Sequence, residues 1–338
     1  MEKENQYVKQ FPDLMSGKKV MYVHGFGSSA QSGTVTMLRT LLPETTVIAE
    51  DIPLHPVEGM AMLRQMQQEE QPDLIIGTSM GGMYTEMLYG YDRILVNPAF
   101  LMGDTMTKHG MLGKQTFQNP REDGVQDVIV TKSLVEEYKE ITRQCFSAVN
   151  EEEQKRVFGL FGDADTFVAA ETCGVFAEHY RQVISFHGEH RLIDKSLIHS
   201  VIPVVRWIDD RQEGRERPVV YVSIDALRDA NGNQRGSAMK GFRLLLENYA
   251  MYVVAPAPTN NSSYITDVQQ WVQDVVNVPA WQRVVFTNQE NLLYGDYLIA
   301  PQAECDSSDF MSTTIPLGSD TFKTWDEIIE FFSRLGGQ

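Results

Sequence analysis

The chain has 338 residues, 42% of them hydrophobic, which is enough for about two globular domains. Its formal net charge of −17 repels phosphate backbones and so disfavours nucleic acid as a partner. Three widely spaced cysteines, an amino-terminal segment without the apolar region of a signal peptide, and no apolar run of about 18 residues predict a cytoplasmic protein without a membrane partner.

Apolar runs alternate with amphipathic stretches over residues 1–210, which predicts an α/β domain with a mostly parallel sheet and helices on both faces. The predicted strands are Lys19–Val23, Thr46–Ala49, Leu74–Ile76, Arg93–Val96, Val157–Phe161 and Val183–Phe186. The predicted helices are Val35–Leu42, Gly59–Gln68, Gly82–Leu88, Glu171–His179 and Ser196–Trp207. Residues 100–150 interrupt this alternation with a segment in which Lys132–Phe146 is a predicted helix. We expect this insertion to lie as a lid at the carboxyl edge of the sheet.

A charged segment, Asp209–Arg217, is the predicted linker, and a second α/β pattern follows Pro218. Its predicted strands are Val219–Ser223, Met251–Ala255, Arg283–Phe286 and Tyr297–Ile299. Its predicted helices are Ser237–Asn248, Tyr264–Val276 and Trp325–Leu335. The sequence therefore predicts two domains, at residues 1–210 and 216–338, the second with a Rossmann-like architecture.

Ser79 lies in a G-x-S-x-G pattern between a predicted strand and a predicted helix. This context is typical of a nucleophile elbow, in which a strained turn exposes the serine hydroxyl above the sheet. Gly77 and Gly81 fit that turn, because side chains at these two positions would collide with neighbouring backbone. The pattern predicts that Ser79 is a nucleophile, provided that the chain also supplies a base, an acid and oxyanion donors.

The acid is expected after Ser79 and before the base. Asp165 follows the predicted strand Val157–Phe161 and is the preferred candidate, with Asp163 as the second choice. A helix N-cap explains Asp165 equally well from local pattern alone.

The base is expected after the next predicted strand, where His187 and His190 flank Gly188. We prefer His190, because Gly188 lets the loop turn back toward the serine, and keep His187 as the alternative. These two histidines could instead join His199 at a metal, but their spacing is not that of an H-E-x-x-H site.

The oxyanion donors are predicted to be the backbone N–H groups of Met80 and Phe26. Phe26 belongs to a glycine-rich loop, beginning His24-Gly25, in which the glycine lets the backbone approach a substrate. The alternative is a dinucleotide cradle, for which Ala30 occupies the last glycine position and Glu50 or Asp51 would be the ribose acid.

Four motifs in this order resemble those of the YqiA-like esterases of the α/β-hydrolase superfamily, over residues 18–208. They are Tyr22-Val23-His24-Gly25-Phe26, Ile76-Gly77-Thr78-Ser79-Met80-Gly81-Gly82, Val96-Asn97-Pro98-Ala99 and Gly188-Glu189-His190. The resemblance implies an esterase for short-chain acyl esters or thioesters, with Ser79, Asp165 and His190 as its triad. No cofactor and no metal are expected.

The segment Val219–Leu227 resembles the first motif of haloacid dehalogenase-like phosphatases, in particular the 5′-nucleotidase branch. Gly295–Ile299 and Trp325–Ile329 support this resemblance, which covers residues 217–335. Ser223 stands at the nucleophile position, and Asp225 keeps the second acidic position. The remaining catalytic positions fall on Ala255, on Glu290 or Asn291, and on Ala300-Pro301.

A serine hydroxyl cannot form the acyl-phosphate that an aspartate forms, and the Mg²⁺ ligands are missing. The resemblance therefore implies a phosphatase-like domain without phosphatase activity. We favour a stabilising companion domain, with a module for ligand sensing or oligomerisation as the alternative. We expect acidic residues such as Asp306, Asp309 and Asp320 to be solvated surface.

Two alternatives remain for the whole chain. One is a non-catalytic binding or scaffolding protein with both halves degenerate, and the other is residual Mg²⁺-dependent phosphatase activity in the second half. A homo-oligomer is compatible with the sequence.

Overall fold

The computed structural model describes residues 9–335, apart from the side chains of residues 169 and 170. The outer ends of the two predicted domains, residues 1–8 and 336–338, lie outside the described residues. The chain forms two compact units, Met1–Glu213 and Gly214–Gln338. Within residues 9–335, every helix is too short or too polar to span a lipid bilayer.

The first unit is built on a six-stranded sheet in the order β2-β1-β3-β4-β7-β8, in which every neighbouring pair is parallel. Its strands are β1 (Lys19–Val23), β2 (Thr46–Ile48), β3 (Leu74–Thr78), β4 (Arg93–Val96), β5 (Gly113–Thr116), β6 (Asp127–Val130), β7 (Val157–Gly162) and β8 (Val183–Phe186). Its helices are α1 (Gly33–Leu41), α2 (Pro56–Glu70), α3 (Met80–Glu86), α4 (Met102–Lys108), α5 (Lys132–Thr142), α6 (Glu151–Arg156), α7 (Ala169–His179), α8 (Asp194–Ser196) and α9 (Ile202–Glu213). The predicted α/β class and parallel sheet are confirmed.

The strand register brings the loops that follow β3, β4, β7 and β8 to one edge of this sheet. Thr78 at the end of β3 is aligned with Val96 at the end of β4, and Val96 is aligned with Leu160 in β7. Gly162 at the end of β7 is aligned with Phe186 at the end of β8. Because all these strands point the same way, the segments that follow them leave from a common carboxyl edge.

The insertion at residues 100–150 contains α4, the antiparallel hairpin β5–β6 and α5. The predicted helix Lys132–Phe146 ends at Thr142, and the hairpin has no counterpart among the predicted elements. Thr131 caps α5, since its hydroxyl oxygen accepts a hydrogen bond from the Leu134 N–H at 3.1 Å. Buried residues of α5 join the main core of the unit, so this helix packs against the body of the unit.

The prediction that Asp209–Arg217 forms a linker is wrong for the first half of this segment, because α9 continues to Glu213. Asp209 is buried and forms an ion pair with the Lys18 ammonium group at 2.7 Å. The charges of this segment thus fix a helix to the body of the unit. The chain leaves the helix at Gly214, whose φ of +60° suits glycine.

A buried ion pair braces the region beneath β4. Arg93 is fully buried, and its guanidinium donates to the Glu153 carboxylate and to the backbone oxygens of Thr85 and Glu86. The other Glu153 oxygen accepts from the Gly90 N–H at 2.8 Å. Removing one member of such a pair leaves an uncompensated buried charge.

Replacing Glu153 by alanine should lower the free energy of unfolding by about 3–5 kcal/mol, measured by urea denaturation. The neighbouring Glu152→Ala is the matched control, because Glu152 pairs with Lys155 on the exposed surface and its loss should lower the stability far less. Equal effects of the two variants would contradict the assignment of Arg93 and Glu153 as a buried brace.

The second unit contains a five-stranded parallel sheet in the order β11-β10-β9-β12-β13. Its strands are β9 (Val219–Ser223), β10 (Ala250–Ala255), β11 (Val284–Phe286), β12 (Tyr297–Pro301) and β13 (Thr313–Leu317). Its helices are α10 (Ile224–Leu227), α11 (Ala238–Leu245), α12 (Tyr264–Val275), α13 (Gln302–Cys305) and α14 (Trp325–Leu335). The sequence prediction missed β13, which contains Pro316 and is an edge strand, where proline is tolerated.

Candidate active site

Ser79 occupies a sharp turn between β3 and α3, with φ of +54° and ψ of −120°. A non-glycine residue in this region is strained and persists only where its surroundings hold it. The backbone N–H of Ser79 donates to the backbone oxygen of Val96 at 3.0 Å, and the backbone oxygen of Ser79 accepts from the Ala99 N–H at 2.9 Å. The end of β4 and the segment after it therefore fix the backbone of the strained residue on both sides.

The two glycines of the turn are sterically required. A Cβ atom on Gly81 would overlap the carbonyl oxygens of Val23 and His24, and one on Gly77 would overlap the Thr85 hydroxyl and the backbone of Gly81. Helix α3 thus approaches β1 and β3 so closely that alanine does not fit at either position.

His190 lies between Ser79 and Asp165. Its Nε2 atom is 2.9 Å from Ser79 Oγ, and its Nδ1 atom is 2.8 Å from Asp165 Oδ2. The carboxylate accepts from Nδ1–H, so Nε2 is the nitrogen that accepts the Ser79 hydroxyl proton. The side chain of His190 is 23% exposed and that of Asp165 is 5% exposed. The arrangement can transfer a proton from Ser79 while the acid stays shielded from water.

Asp165 uses its two oxygens for different partners. Oδ2 faces His190, and Oδ1 accepts from the backbone N–H groups of Phe167 at 2.7 Å and Val168 at 3.2 Å. Burial favours the neutral acid, but the hydrogen bonds from His190 and the two amides outweigh it, so the pKa of Asp165 is lowered. Since α7 starts at Ala169 with Val168 as its N-cap residue, Asp165 is not a helix cap.

Asp163 and His187, the second-choice acid and base, pair with each other. Asp163 Oδ2 lies 2.5 Å from His187 Nδ1, and Asp163 Oδ1 accepts from the Gly188 N–H at 3.1 Å. Both side chains are more than 40% exposed. The structure therefore brings His190 to Ser79, and the parallel Asp163–His187 pair joins the same two loops farther out.

The metal alternative for the histidines does not fit this geometry. Both ring nitrogens of His190 are engaged, and Nδ1 of His187 faces Asp163. In residues 9–335, no three His, Cys, Asp or Glu side chains converge as a metal site.

The glycine-rich loop after β1 passes directly over the nucleophile. A Cβ atom on Gly25 would lie 3.2 Å from Ser79 Cβ and 3.8 Å from Ser79 Oγ. In the described part of the chain, the N–H groups of Phe26 and Met80 donate to no protein acceptor. Both groups are therefore available to a substrate oxygen.

His24 is buried and stabilises this loop. Its Nδ1 donates to the Gly25 oxygen at 2.8 Å, and its Nε2 accepts from the Ile52 N–H at 3.1 Å. Burial lowers the pKa of His24 and so favours the neutral ring that these two contacts require. Its position fits the supporting role predicted for it.

The dinucleotide alternative fails at this loop. The Ala30 N–H, which a phosphate cradle would need, donates to Asp51 Oδ1 at 2.8 Å. Asp51 Oδ2 accepts from the Glu122 N–H at 2.7 Å. A carboxylate in this place would repel a phosphate group.

The insertion at residues 100–150 borders the site on two sides. His109 Nε2 lies 2.9 Å from the Phe167 oxygen, and the Phe167 ring lies 4.6 Å from the His190 ring, centre to centre. The Gln118 N–H donates to the Gly27 oxygen at 2.7 Å. The insertion thus contacts both the base side and the glycine-rich loop, which is the placement expected of a lid.

In the second unit, Ser223 caps α10 and accepts from the Asp225 N–H at 3.2 Å. Its hydroxyl also lies 2.7 Å from Glu304 Oε2 on α13. Burial raises the pKa of Glu304, and the nearby Asp225 charge raises the pKa further. Sequence reasoning missed Glu304, because no motif links α13 to β9, and only the register of β9 with β12 brings them together.

Residues 19–202, more than half of the chain, match the model of a family described as "Uncharacterised protein family (UPF0227)". The chain belongs to the UPF0227 family. This family is YqiA-like, so the resemblance of residues 18–208 to YqiA-like α/β hydrolases is confirmed.

Among curated proteins, the chain is 23% identical over 129 residues to the "Putative 5'(3')-deoxyribonucleotidase" of Vibrio phage KVP40. The match covers 38% of this chain and 71% of that protein, and it confirms a distant haloacid dehalogenase-like homology.

Solved structures similar to this chain include Est1E from Butyrivibrio proteoclasticus with ferulic acid bound, at 13% identity and a TM-score of 0.40. The match covers 62% of this chain and 93% of that chain. The esterase domain of a Rhodothermus marinus protein is 15% identical with a TM-score of 0.36, and the match covers 54% of this chain and 82% of that chain.

Substituting alanine for Gly81 should destabilise the first unit by about 1–3 kcal/mol or more, because the new methyl group meets two carbonyl oxygens. Gly174→Ala in α7 is the control, since a Cβ atom there meets nothing within 4 Å and should stabilise the helix by up to about 1 kcal/mol. Thermal unfolding of both variants measures the difference. A Gly81→Ala protein as stable as the wild type would refute the steric requirement.

Proposed function

We propose that the chain is a serine hydrolase that cleaves a small acyl ester or thioester through an acyl-enzyme. The observation that supports this most is the continuous contact from Ser79 Oγ through His190 to Asp165, at 2.9 and 2.8 Å, on a strained turn. A base within hydrogen-bond reach of an exposed nucleophile, itself oriented by an acid, is the arrangement that acyl transfer needs.

In the acylation step, His190 Nε2 takes the Ser79 proton while Oγ attacks the substrate carbonyl carbon. The negative oxygen that develops is stabilised by the N–H groups of Phe26 and Met80. Asp165 stabilises the imidazolium and keeps the ring orientation. His190 then gives its proton to the departing alcohol or thiol, and the acyl group stays on Ser79.

In the deacylation step, water takes the place of the leaving group beside His190. The imidazole removes a proton from this water as the water attacks the acyl carbon, and the same two amides stabilise the second tetrahedral intermediate. Collapse of this intermediate returns the proton to Ser79 Oγ and releases the carboxylic acid. The 23% exposure of the His190 side chain is consistent with access for such a water.

Aromatic side chains on both sides of the nucleophile favour an uncharged acyl group. Phe26 packs edge to face on the buried Tyr138, with ring centres 6.4 Å apart, and Phe167 lies over His190. Apolar surfaces of this kind gain free energy by covering apolar substrate and penalise buried charge.

For the second unit, we propose a non-catalytic companion role. The Ser223 hydroxyl caps a helix and contacts Glu304, so it is engaged in the local structure. Replacement of an acid nucleophile by this hydroxyl removes the acyl-phosphate route.

The roles of Ser79 and His190 can be tested by measuring the hydrolysis of p-nitrophenyl butyrate. Ser79→Ala and His190→Ala should each lower kcat by about 10⁴-fold or more, because the nucleophile and base act as one unit. His187→Ala and Asp163→Asn are matched controls from the parallel pair, and both should retain most of the activity.

A larger loss in His187→Ala than in His190→Ala would contradict the assigned base. Release of phosphate from nucleotides that needs Mg²⁺, persists in Ser79→Ala and fails in Asp225→Asn would instead support phosphatase activity in the second unit.

A further inference from the structure

Asn97 lies between the loop of the acid and the loop of the base. It follows β4, the strand between β3 and β7, and its side chain is 1% exposed. Its φ of +44° is unusual, although asparagine tolerates such values better than most residues. Its own N–H donates to the Leu160 oxygen at 2.8 Å, which fixes its backbone to β7.

The side-chain amide of Asn97 makes three hydrogen bonds to two other loops. Its Oδ1 accepts from the Gly162 N–H at 2.7 Å, at the end of β7 and directly before the loop that contains the acid. Its Nδ2 donates to the backbone oxygens of Glu189 at 3.0 Å and His190 at 3.1 Å. One buried amide group therefore joins the acid loop to the base loop.

The residues on either side of Asn97 hold the nucleophile. The backbone oxygen of Val96 accepts from the Ser79 N–H, and the Ala99 N–H donates to the backbone oxygen of Ser79. The four residues 96–99 thus contact the turn that presents the nucleophile, the loop of the acid and the loop of the base. These contacts add to those that the Asp163–His187 pair and His190 make between the same segments.

We propose that Asn97 is a positioning residue that sets the distance of the His190 ring from Ser79 and Asp165. The proposal rests on the proposed hydrolase function and extends it to a residue that touches neither substrate nor reacting atoms. The amide is suited to the task because it offers an acceptor to Gly162 and two donors to the base loop at once. A buried contact of this kind fixes geometry, and a misplacement of about 1 Å can cost about 10²-fold in rate.

Asn97→Gly tests the proposal, because glycine accepts the positive φ while all three side-chain hydrogen bonds are lost. We expect kcat for p-nitrophenyl butyrate to fall by about 10–100-fold with little change in KM, since the substrate-contacting groups stay in place. Asn150→Gly is the matched control. Asn150 caps α6 through two hydrogen bonds, and α6 leads into the opposite end of β7, so this variant should lose stability but keep kcat.

Asn97→Asp distinguishes the contact to the acid loop from the contacts to the base loop. Aspartate keeps an acceptor for the Gly162 N–H but loses the donors, so its carboxylate faces the oxygens of Glu189 and His190. We expect kcat to fall at least as far as in Asn97→Gly. This variant also serves if Asn97→Gly does not fold. Wild-type kcat in either folded variant would overturn the proposal.

A proton NMR measurement distinguishes positioning from stability alone. The His190 Nδ1–H, hydrogen-bonded to Asp165, should give a far-downfield resonance that is absent in His190→Ala and present in His187→Ala. Asn97→Gly should shift or lose this signal at a temperature where circular dichroism shows the fold intact, whereas Asn150→Gly should keep it. An unchanged signal in folded Asn97→Gly would overturn the proposal. Because this readout needs no substrate, it tests Asn97 even if the wild type hydrolyses no ester.

Discussion

The hydrogen bond between His190 Nε2 and Ser79 Oγ joins residues 111 positions apart, and it depends on how the strands of the first unit align. The parallel register brings the ends of β3, β7 and β8 to one edge of the sheet. The strained backbone of Ser79 then directs its hydroxyl outward. Such strain costs of the order of 1–3 kcal/mol and is sustained by the packing of α3 against the sheet.

Buried and half-buried polar groups fix the loops of this site. Asp165 holds the ring of His190, His24 holds the glycine-rich loop, and Asp51 ties that loop to the insertion. Each of these groups is satisfied by at least two hydrogen bonds, so its burial is compensated. The core supplies stability, while these side chains determine the orientation of the reacting atoms.

The second unit repeats the parallel architecture with different side chains at the corresponding edge. Ser223 ends its central strand, but the turn that follows is an ordinary helix start that the hydroxyl caps. Glu304 and Asp225 lie beside it, and the raised pKa of Glu304 reflects burial and a neighbouring like charge. One sheet edge thus presents the hydrogen-bonded set Ser79, His190 and Asp165, and the other presents a serine that is engaged in capping a helix.

Much of this could be predicted from the sequence, because strand ends in a parallel sheet are marked by short apolar runs followed by glycine. Ser79, Asp165 and His190 each stand at such an end. The choice between His190 and His187 was harder, since both flank Gly188 and only the folded loop orients one toward the serine.

Other features depend on contacts between distant segments, which no local pattern encodes. The last turns of α9, up to Glu213, contact Lys18, nearly 200 residues away along the chain. The Glu304–Ser223 contact likewise depends on the pairing of β9 with β12. The motif around Asn97 can be recognised in the sequence, but the three hydrogen bonds of its side chain to distant segments cannot be predicted from it.

The most direct test of the central claim is labelling of the full chain with a fluorophosphonate, followed by peptide mapping by mass spectrometry. An activated serine reacts with this reagent because its base lies within reach, whereas a serine engaged in the structure does not. We predict one adduct, on the peptide that contains Ser79, and none in His190→Ala. An adduct on Ser223, or a folded wild-type protein that takes up no label, would contradict it.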